Sequence, residues 1–299
     1  MIDTQIRLSN TVGLALADTV RMAIHEDLAQ GDVTTDYLPE LQTPAQAILK
    51  TRSACVVSGL DVAQEVFQQV FALYQDTSFT MTRLVENGES VSADTVLAKL
   101  DGTQACLLRA ERTALNFLQH LSGIATYTRQ FVHAVEGARP DSSAPADGVR
   151  IAHTRKTTPG LRALEIQAVR HGGGYPHRQN LATAVMLKDN HIQAVGSIAG
   201  AIKELRQHIA HTTKIEVEAD TLDQVEEALE SGADVVLLDN MTPETIRRAV
   251  ALTNKRAILE ASGGLTLENI RQYAETGVDV LSTSQITLGA PAIDIGLDF

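Results

Sequence analysis

Tryptophan is absent and aromatic residues make up only 4% of the 299-residue chain, so its core must be built from aliphatic side chains. Two cysteines, Cys55 and Cys106, cannot make a disulfide framework, and no Cys/His spacing typical of a metal site occurs. No apolar run approaches the roughly 18 residues that would span a bilayer. The first thirty residues carry acids and lack a basic stretch ahead of an apolar core, which predicts no secretory leader and a cytoplasmic protein. Net positive charge is lacking too. The formal balance of −12 argues against non-specific binding to nucleic acid or to an anionic membrane. No Ser-His-Asp or Cys-His nucleophile set stands out, which favours catalysis by electrostatic positioning over covalent catalysis.

Basic residues are instead concentrated in one place. Between Arg150 and His191 there are seven Lys/Arg against two acids, and four of the nine histidines fall in the same segment. An acidic protein with one basic segment suits a small, multiply charged anion. At the centre of that segment stands His153-Thr154-Arg155-Lys156-Thr157-Thr158-Pro159-Gly160, directly after the apolar run Val149 to Ala152. Arg offers a planar fork that matches a carboxylate or phosphate, and Lys adds a point charge. The same eight residues read equally well as a solvated basic loop, and the downstream half of the chain decides between the two.

The chain up to about residue 40 reads as helical, with Val20, Ile24 and Leu28 on one face, followed by a turn in which Asp32 and Thr34 act as cap or turn residues. Residues 45 to 100 form a small mixed α/β unit. Its strand-like runs surround a helix at Val62 to Tyr74, Asn87-Gly88 is a turn signal, and antiparallel pairing is expected. Gln104 to Glu136 reads as a long helical stretch, broken near Ser122-Gly123, with a stripe of Leu108, Leu115, Leu118 and Leu121. The loop 137–148, rich in Gly, Pro, Ser and Asp, marks a domain boundary or an exposed insertion.

Beyond it, short apolar strands alternate with amphipathic helices. The strands are expected at Val149–Ala152, Ala184–Leu187, Ile215–Val217, Val235–Leu238, Ala257–Leu259 and Val278–Leu281, and the helices near 196–210, 222–231, 243–252 and 267–276. The residues that end the strands carry the chemistry: Arg155 and Lys156, Lys188, Glu218, Asp239, Ser262-Gly263-Gly264 and Ser282-Thr283-Ser284. The steps from Glu218 to Asp239 to Ser262 to Ser284 are 21, 23 and 22 residues. Such even spacing predicts a (β/α) barrel whose strand ends open onto one mouth. In that mouth Ser262-Gly263-Gly264 can bring backbone N–H groups close to a phosphate. Glu218 and Asp239 can hold ribose hydroxyls or a hard divalent ion such as Mg²⁺. Lys156, Lys188 and Arg155 can neutralise a pyrophosphate or bind a carboxylated acceptor.

Several segments together carry a resemblance. Glu111-Arg112-Thr113-Ala114-Leu115-Asn116, His120-Leu121-Ser122-Gly123, Thr154-Arg155-Lys156-Thr157-Thr158-Pro159-Gly160 and Gly172-Gly173-Gly174 with His177-Arg178 come first in order. Leu187-Lys188-Asp189-Asn190-His191, Glu216-Val217-Glu218, Leu238-Asp239-Asn240 and Glu260-Ala261-Ser262-Gly263-Gly264 come after them. In this order, over nearly the whole chain, they resemble the quinolinate phosphoribosyltransferase family. The resemblance implies an incomplete (β/α) barrel of the type II phosphoribosyltransferase kind with an N-terminal α/β sandwich domain. Boundaries are expected at 1–130 and 131–285, with the segment 286–299 rejoining the first domain. It also implies a pentosyltransferase of NAD biosynthesis. Quinolinate and phosphoribosyl pyrophosphate would give nicotinate mononucleotide, pyrophosphate and CO₂, with Mg²⁺ and no separate decarboxylase cofactor.

The site implied by the resemblance has three parts. Arg112, reaching the other subunit of a homodimer, joins Thr154, Arg155, His177, Arg178 and Lys188 on quinolinate. Lys156, Glu218, Asp239, Ser262, Gly263, Gly264, Thr283, Ser284 and Gln285 hold phosphoribosyl pyrophosphate. Glu218 and Asp239 hold Mg²⁺, directly or through water, and form the catalytic set together with Lys156 and Lys188. Two positions depart from the family pattern: Ser284 stands where glycine is usual, and Leu288 where a basic residue is common. Two alternatives are a paralogue that uses another acceptor, of the molybdenum-transport-associated type, and a non-catalytic metabolite-binding protein. Structural readings also exist for single residues. His153 supports the strand end, His191 bonds near the Lys188 turn, Asn240 and Thr154 act as caps, and Arg162 and Arg170 bind substrate or bridge subunits.

Overall fold

The computed structural model describes residues 10–138 and 148–299, with side chains from residue 16 onward. In chain order the elements are α1 (Asn10–Leu28), β1 (Pro44–Thr51), β2 (Cys55–Val56), α2 (Leu60–Leu73), β3 (Thr80–Arg83), β4 (Ser90–Val91), β5 (Val96–Thr103) and α3 (Gln104–Val135). Next come β6 (Arg150–Ala152), α4 (Arg162–His171), β7 (Val185–Leu187), α5 (Asp189–Val195), α6 (Ile198–His208), β8 (Ile215–Ala219) and α7 (Leu222–Glu230). The chain ends with β9 (Val235–Asp239), α8 (Pro243–Thr253), β10 (Ile258–Ser262), α9 (Ile270–Ala274), β11 (Val280–Ser282), α10 (Gln285–Leu288) and β12 (Ile295–Asp298). The described residues form two compact units, one of residues 10–127, 158–173 and 290–299, the other of 128–138, 148–157 and 174–289.

The first unit is built on a four-stranded antiparallel sheet in the order β12-β1-β5-β3, with β2 and β4 paired separately. Helix α2 lies so close to the sheet that a Cβ on Gly102 would fall 2.4 Å from the ring of Phe71. The turn after α1 is organised by Asp32, whose carboxylate accepts the N–H groups of Thr34 and Thr35. Asp36 in turn pairs with the buried Arg109 at 2.6 Å, and the guanidinium lies 4.0 Å from the centre of the Tyr74 ring.

Helix α3 is continuous through Ser122-Gly123, so the expected break there is not found. The two residues serve packing instead. Ser122 accepts the Ser58 N–H and donates its hydroxyl to the Ser58 carbonyl. Gly123 lets the C-terminal segment touch the helix, because a Cβ there would lie 2.2 Å from the Pro291 carbonyl oxygen. The stretch 158–173, assigned from the sequence to the barrel, belongs to the first unit. The reason is α4, which the sequence patterns did not reveal. It buries Leu164, Ile166, Ala168 and Val169, together with Glu165, which pairs with His120 of α3 at 2.9 Å. Its last residue, His171, bonds Ser58 Oγ at 2.8 Å.

The second unit carries a six-stranded parallel sheet in the order β6-β11-β10-β9-β8-β7. That is the cyclic order of a barrel opened between its first and second strands, hence an incomplete (β/α) barrel. Helices α6 to α9 follow their strands as periodicity predicts, and local signals set their starts. Thr221 and Gln224 form a reciprocal capping box on α7. On α8, Thr242 caps and Pro243 occupies the first turn. Caps of this kind contribute about 1 kcal/mol each. Alternation along β8 sends Ile215, Val217 and Ala219, all fully buried, to the helical side. Glu216 and Glu218 therefore face the barrel interior. Among the described residues, no helix is long and apolar enough to cross a membrane.

Candidate active site

Parallel pairing places the strand ends side by side. Leu187 is level with Val217, Glu218 with Leu237, Asp239 with Ser262, Ser262 with Ser282, and Ser282 with Ala152. Lys188, Glu218, Asp239, Ser262, Thr283 and the loop Thr154–Lys156 thus share one edge of one sheet. Charged groups at the C-terminal ends of barrel strands are where this architecture builds sites. Arg112 belongs to the first unit, so it is not part of the set gathered by the parallel sheet. It lies exposed on α3 and lines a pocket of about 440 Å³ with Glu26, Asp27, Asn116 and His120.

Each side chain has a local reason for its place. Lys188 forms a short ion pair with Glu218, and its N–H donates to His191 Nδ1 at 3.0 Å, so His191 holds the turn. Lys188 also precedes α5, a helix absent from the sequence expectation. Asp239 accepts the Asn240 side-chain amide at 2.7 Å. Asn240 is in the left-handed region, at φ 53°, and its N–H donates to the Ser262 carbonyl. Gly263 stands at φ 93° with so little room that a Cβ would lie 2.2 Å from Asn240 Oδ1. Gly264, at φ 63°, faces open space. Ser284, by contrast, has φ −80°, so the backbone there needs no glycine. Thr283 donates its hydroxyl to the Leu265 carbonyl and its N–H to Ala152, while Gln285 N–H bonds Thr283 Oγ1. Ser262 Oγ donates to the Ser282 carbonyl at 3.2 Å.

Beneath this edge lies a layer that sequence reasoning missed. Glu216 and Glu260 are buried, and His177 Nε2 sits 3.4 Å from an oxygen of each. The alternation Glu216-Val217-Glu218 signals both inward positions, but nothing in the pattern says which is covered. Burial alone would lower the His177 pKa; hydrogen bonds and charge from Glu216 and Glu260 outweigh it and raise the ring to about 10. Burial likewise raises the Glu216 pKa. Arg178 N–H donates to His177 Nδ1 at 2.7 Å, which the ring accepts only while that nitrogen is bare. The raised pKa favours a ring protonated on both nitrogens, whereas the 2.7 Å Arg178 contact needs Nδ1 bare; the contact geometry decides for a ring with its proton on Nε2, shared toward Glu216. With Nε2 so occupied, the cluster holds a proton better than a metal ion.

The same cluster fixes Arg178. His177 N–H donates to His153 Nε2 at 3.1 Å, and His153 is fully buried, with Nδ1 on the Thr154 carbonyl. Tyr175 N–H donates to Ile151, extending the edge beside β6. Arg178 then spreads its guanidinium onto Ala184 O and Met186 Sδ. Its pKa is lowered first by burial and next by the charge of Arg155. Two guanidiniums brought this close repel each other, and an anion carrying two carboxylates would relieve that repulsion.

Glu218 and Asp239 pass the physical test for Mg²⁺. Both offer hard carboxylate oxygens from the inner face of adjacent strands, two residues apart in level. Strand geometry then separates their Cα atoms by about 8 Å, a spacing that suits two carboxylates sharing one hydrated ion.

Comparison with known proteins decides the family. The quinolinate phosphoribosyl transferase N-terminal domain matches residues 32–122, and the C-terminal domain of the same enzyme matches residues 124–298. The chain belongs to the quinolinate phosphoribosyltransferase family. It is 40% identical over 288 residues to the nicotinate-nucleotide pyrophosphorylase (carboxylating) of Mycobacterium leprae, covering 95% of this chain and 97% of that one. It is 35% identical over 257 residues to the human protein of that name, covering 85% and 82%. The solved structure of the nicotinate-nucleotide pyrophosphorylase from Francisella tularensis superposes with a TM-score of 0.86 at 34% identity, covering 95% of each chain.

Proposed function

We propose that this member of the family transfers the phosphoribosyl group of phosphoribosyl pyrophosphate to quinolinate, with loss of CO₂, in NAD biosynthesis in the cytoplasm. The observation that carries the reading is the single sheet edge holding Lys156, Lys188, Glu218 and Asp239 beside the crowded pair Arg155 and Arg178. Thr154, Arg155 and Arg178 hold the two carboxylates of quinolinate. His177, whose ring nitrogens are already engaged, contributes by fixing Arg178 from below. Lys188, shared with Glu218, stands between the two substrates. Glu218 and Asp239 hold Mg²⁺, which when bound neutralises charge on the pyrophosphate. Lys156 meets the same phosphates. The Thr283 N–H is already given to Ala152 O, the Gln285 N–H to Thr283 Oγ1 and the Ser262 hydroxyl to Ser282 O, so the 5′-phosphate falls to the amides of Gly263, Gly264 and Ser284 and to the Ser284 hydroxyl.

In the reaction the ring nitrogen of quinolinate bonds to C1′ while the bond to pyrophosphate breaks. The carboxylates of Glu218 and Asp239 favour the positive charge that develops on the ribose. The alkylated ring nitrogen is then cationic and stabilises the electron pair left at C2 when CO₂ departs, and a proton replaces the carboxylate. The protein needs only to orient that carboxylate and keep water away. Arg112 completes the site from the second subunit of a homodimer; its exposed guanidinium beside a pocket supports that role. The test is CO₂ release from quinolinate labelled in its 2-carboxylate. Release that requires both phosphoribosyl pyrophosphate and Mg²⁺ is expected, and none from pure protein would overturn the proposal.

A further inference from the structure

Thr287 lies on α10, outside every motif that carries the family resemblance. Its side chain is buried, 2% exposed, and its hydroxyl lies 2.8 Å from the carbonyl oxygen of Lys156 and 3.1 Å from that of Ser284. A hydroxyl has one proton to give. Threonines in helical turns usually bond back to the carbonyl three or four residues earlier, which here would be Ser284. That carbonyl already accepts two backbone N–H groups, from Thr287 at 3.2 Å and Leu288 at 2.8 Å. The shorter contact and the unfilled acceptor both assign the proton to Lys156.

The other side of the same loop is held as well. Lys156 N–H donates to Thr154 Oγ1 at 3.1 Å. The Lys156 residue is therefore fixed at its N–H by Thr154 and at its C=O by Thr287, with its side chain exposed and free to meet a ligand. The second anchor crosses 131 positions of sequence to the turn containing Thr283, Ser284 and Gln285. A second bond ties these regions together, from Thr283 N–H to the Ala152 carbonyl. Without the Thr287 hydroxyl, the carbonyl of an exposed loop residue would exchange its fixed partner for solvent, and the loop would sample other backbone conformations.

We propose that Thr287 is a positioning residue that locks the Lys156 loop to the phosphate turn, so that both grip one phosphorylated sugar as a unit. This rests on the proposed function for the identity of the ligand. Its chemistry is narrower than that reading, because it concerns a buried hydroxyl that never touches substrate.

The experiment measures phosphoribosyl pyrophosphate binding with Mg²⁺ by calorimetry on the full chain, alongside turnover with quinolinate. Thr287→Val keeps the shape and removes the hydroxyl, and is expected to weaken binding about fivefold to twentyfold. Thr287→Ser keeps the hydroxyl and is expected to stay within about twofold of the parent. In a Lys156→Met background, Thr287→Val should add less than about twofold, because residues acting through one group are not additive. A general loss of stability would weaken binding equally in both backgrounds, and would not be rescued by serine. Unchanged affinity in Thr287→Val, equal losses in Val and Ser, or full additivity with Lys156→Met would each overturn the inference. Should Thr287→Val not fold, Thr287→Ala and Thr287→Ser carry the same comparison. A parent protein that binds phosphoribosyl pyrophosphate without turning over quinolinate would instead sink the functional reading, leaving the Thr287 comparison intact.

Discussion

The neighbouring glycines 263 and 264 separate two effects usually confounded. Both have positive φ, at 93° and 63°, so alanine strains the backbone at either place. That strain is worth about 1–2 kcal/mol. Only Gly263 is also crowded, since its new Cβ would meet Asn240 Oδ1 at 2.2 Å and Asn240 N at 3.0 Å. The amide can swing away only by giving up its bond to Asp239, and a hydrogen bond to a charged group contributes about 1.5–3 kcal/mol. Gly264→Ala should therefore cost about 1–2 kcal/mol and Gly263→Ala about 2.5–5 kcal/mol. The added cost of about 1.5–3 kcal/mol corresponds to roughly 10-fold to 150-fold. The assay sums two readouts for each variant: the loss in urea stability and the rise in the dissociation constant for phosphoribosyl pyrophosphate. Equal totals for the two variants would refute the claim that Asn240 fills the space beside Gly263 and steadies Asp239.

Gly123→Ala should destabilise, although alanine normally stabilises a helix interior by about 1 kcal/mol. The clash with Pro291 O threatens the bonds from Ile293 N–H to Gln119 O and from Gln119 Nε2 to Ile295 O, for a net loss of about 1–3 kcal/mol; a raised urea midpoint would contradict this. Burial alone would raise the Asp234 pKa, but bonds from Ile215 N–H, Lys214 and Arg206 hold it below the usual value. Its stabilisation is thus present above about pH 4 and lost as pH falls through the lowered pKa. The urea midpoint of Asp234→Asn should fall less over that acid range than the parent's, and identical slopes would refute the assignment. Arg112→Ala and Arg155→Ala should each be nearly inactive, while their mixture should recover about a quarter of parental activity if hybrid dimers form at random. No recovery after proven subunit exchange would remove Arg112 from the shared site.

What the sequence made legible was repetition. Strands β8 to β11 stand out because apolar runs recur at 21 to 23 residues, and their charged or small terminal residues mark the same edge each time. Parallel pairing turns that one-dimensional spacing into a row of neighbours. Helices α4 and α5 escaped because both are short and neither carries a clean apolar stripe. The Gly in α3 was misread because a glycine that admits another backbone looks, in sequence, like one that ends a helix. Glu216, Glu260 and Thr287 act through contacts with residues distant in sequence, and no local pattern carries that information.

The central claim is that Lys156, Lys188, Glu218 and Asp239 face one ligand set. A crystal structure with quinolinate and an analogue of phosphoribosyl pyrophosphate whose pyrophosphate cannot leave, plus Mg²⁺, tests it most directly. The account predicts the acceptor's carboxylates against Arg155 and Arg178, the metal between Glu218 and Asp239, and both lysines within reach of the ligands. Ligands bound away from that sheet edge, or bound there with either acid turned aside, would contradict it.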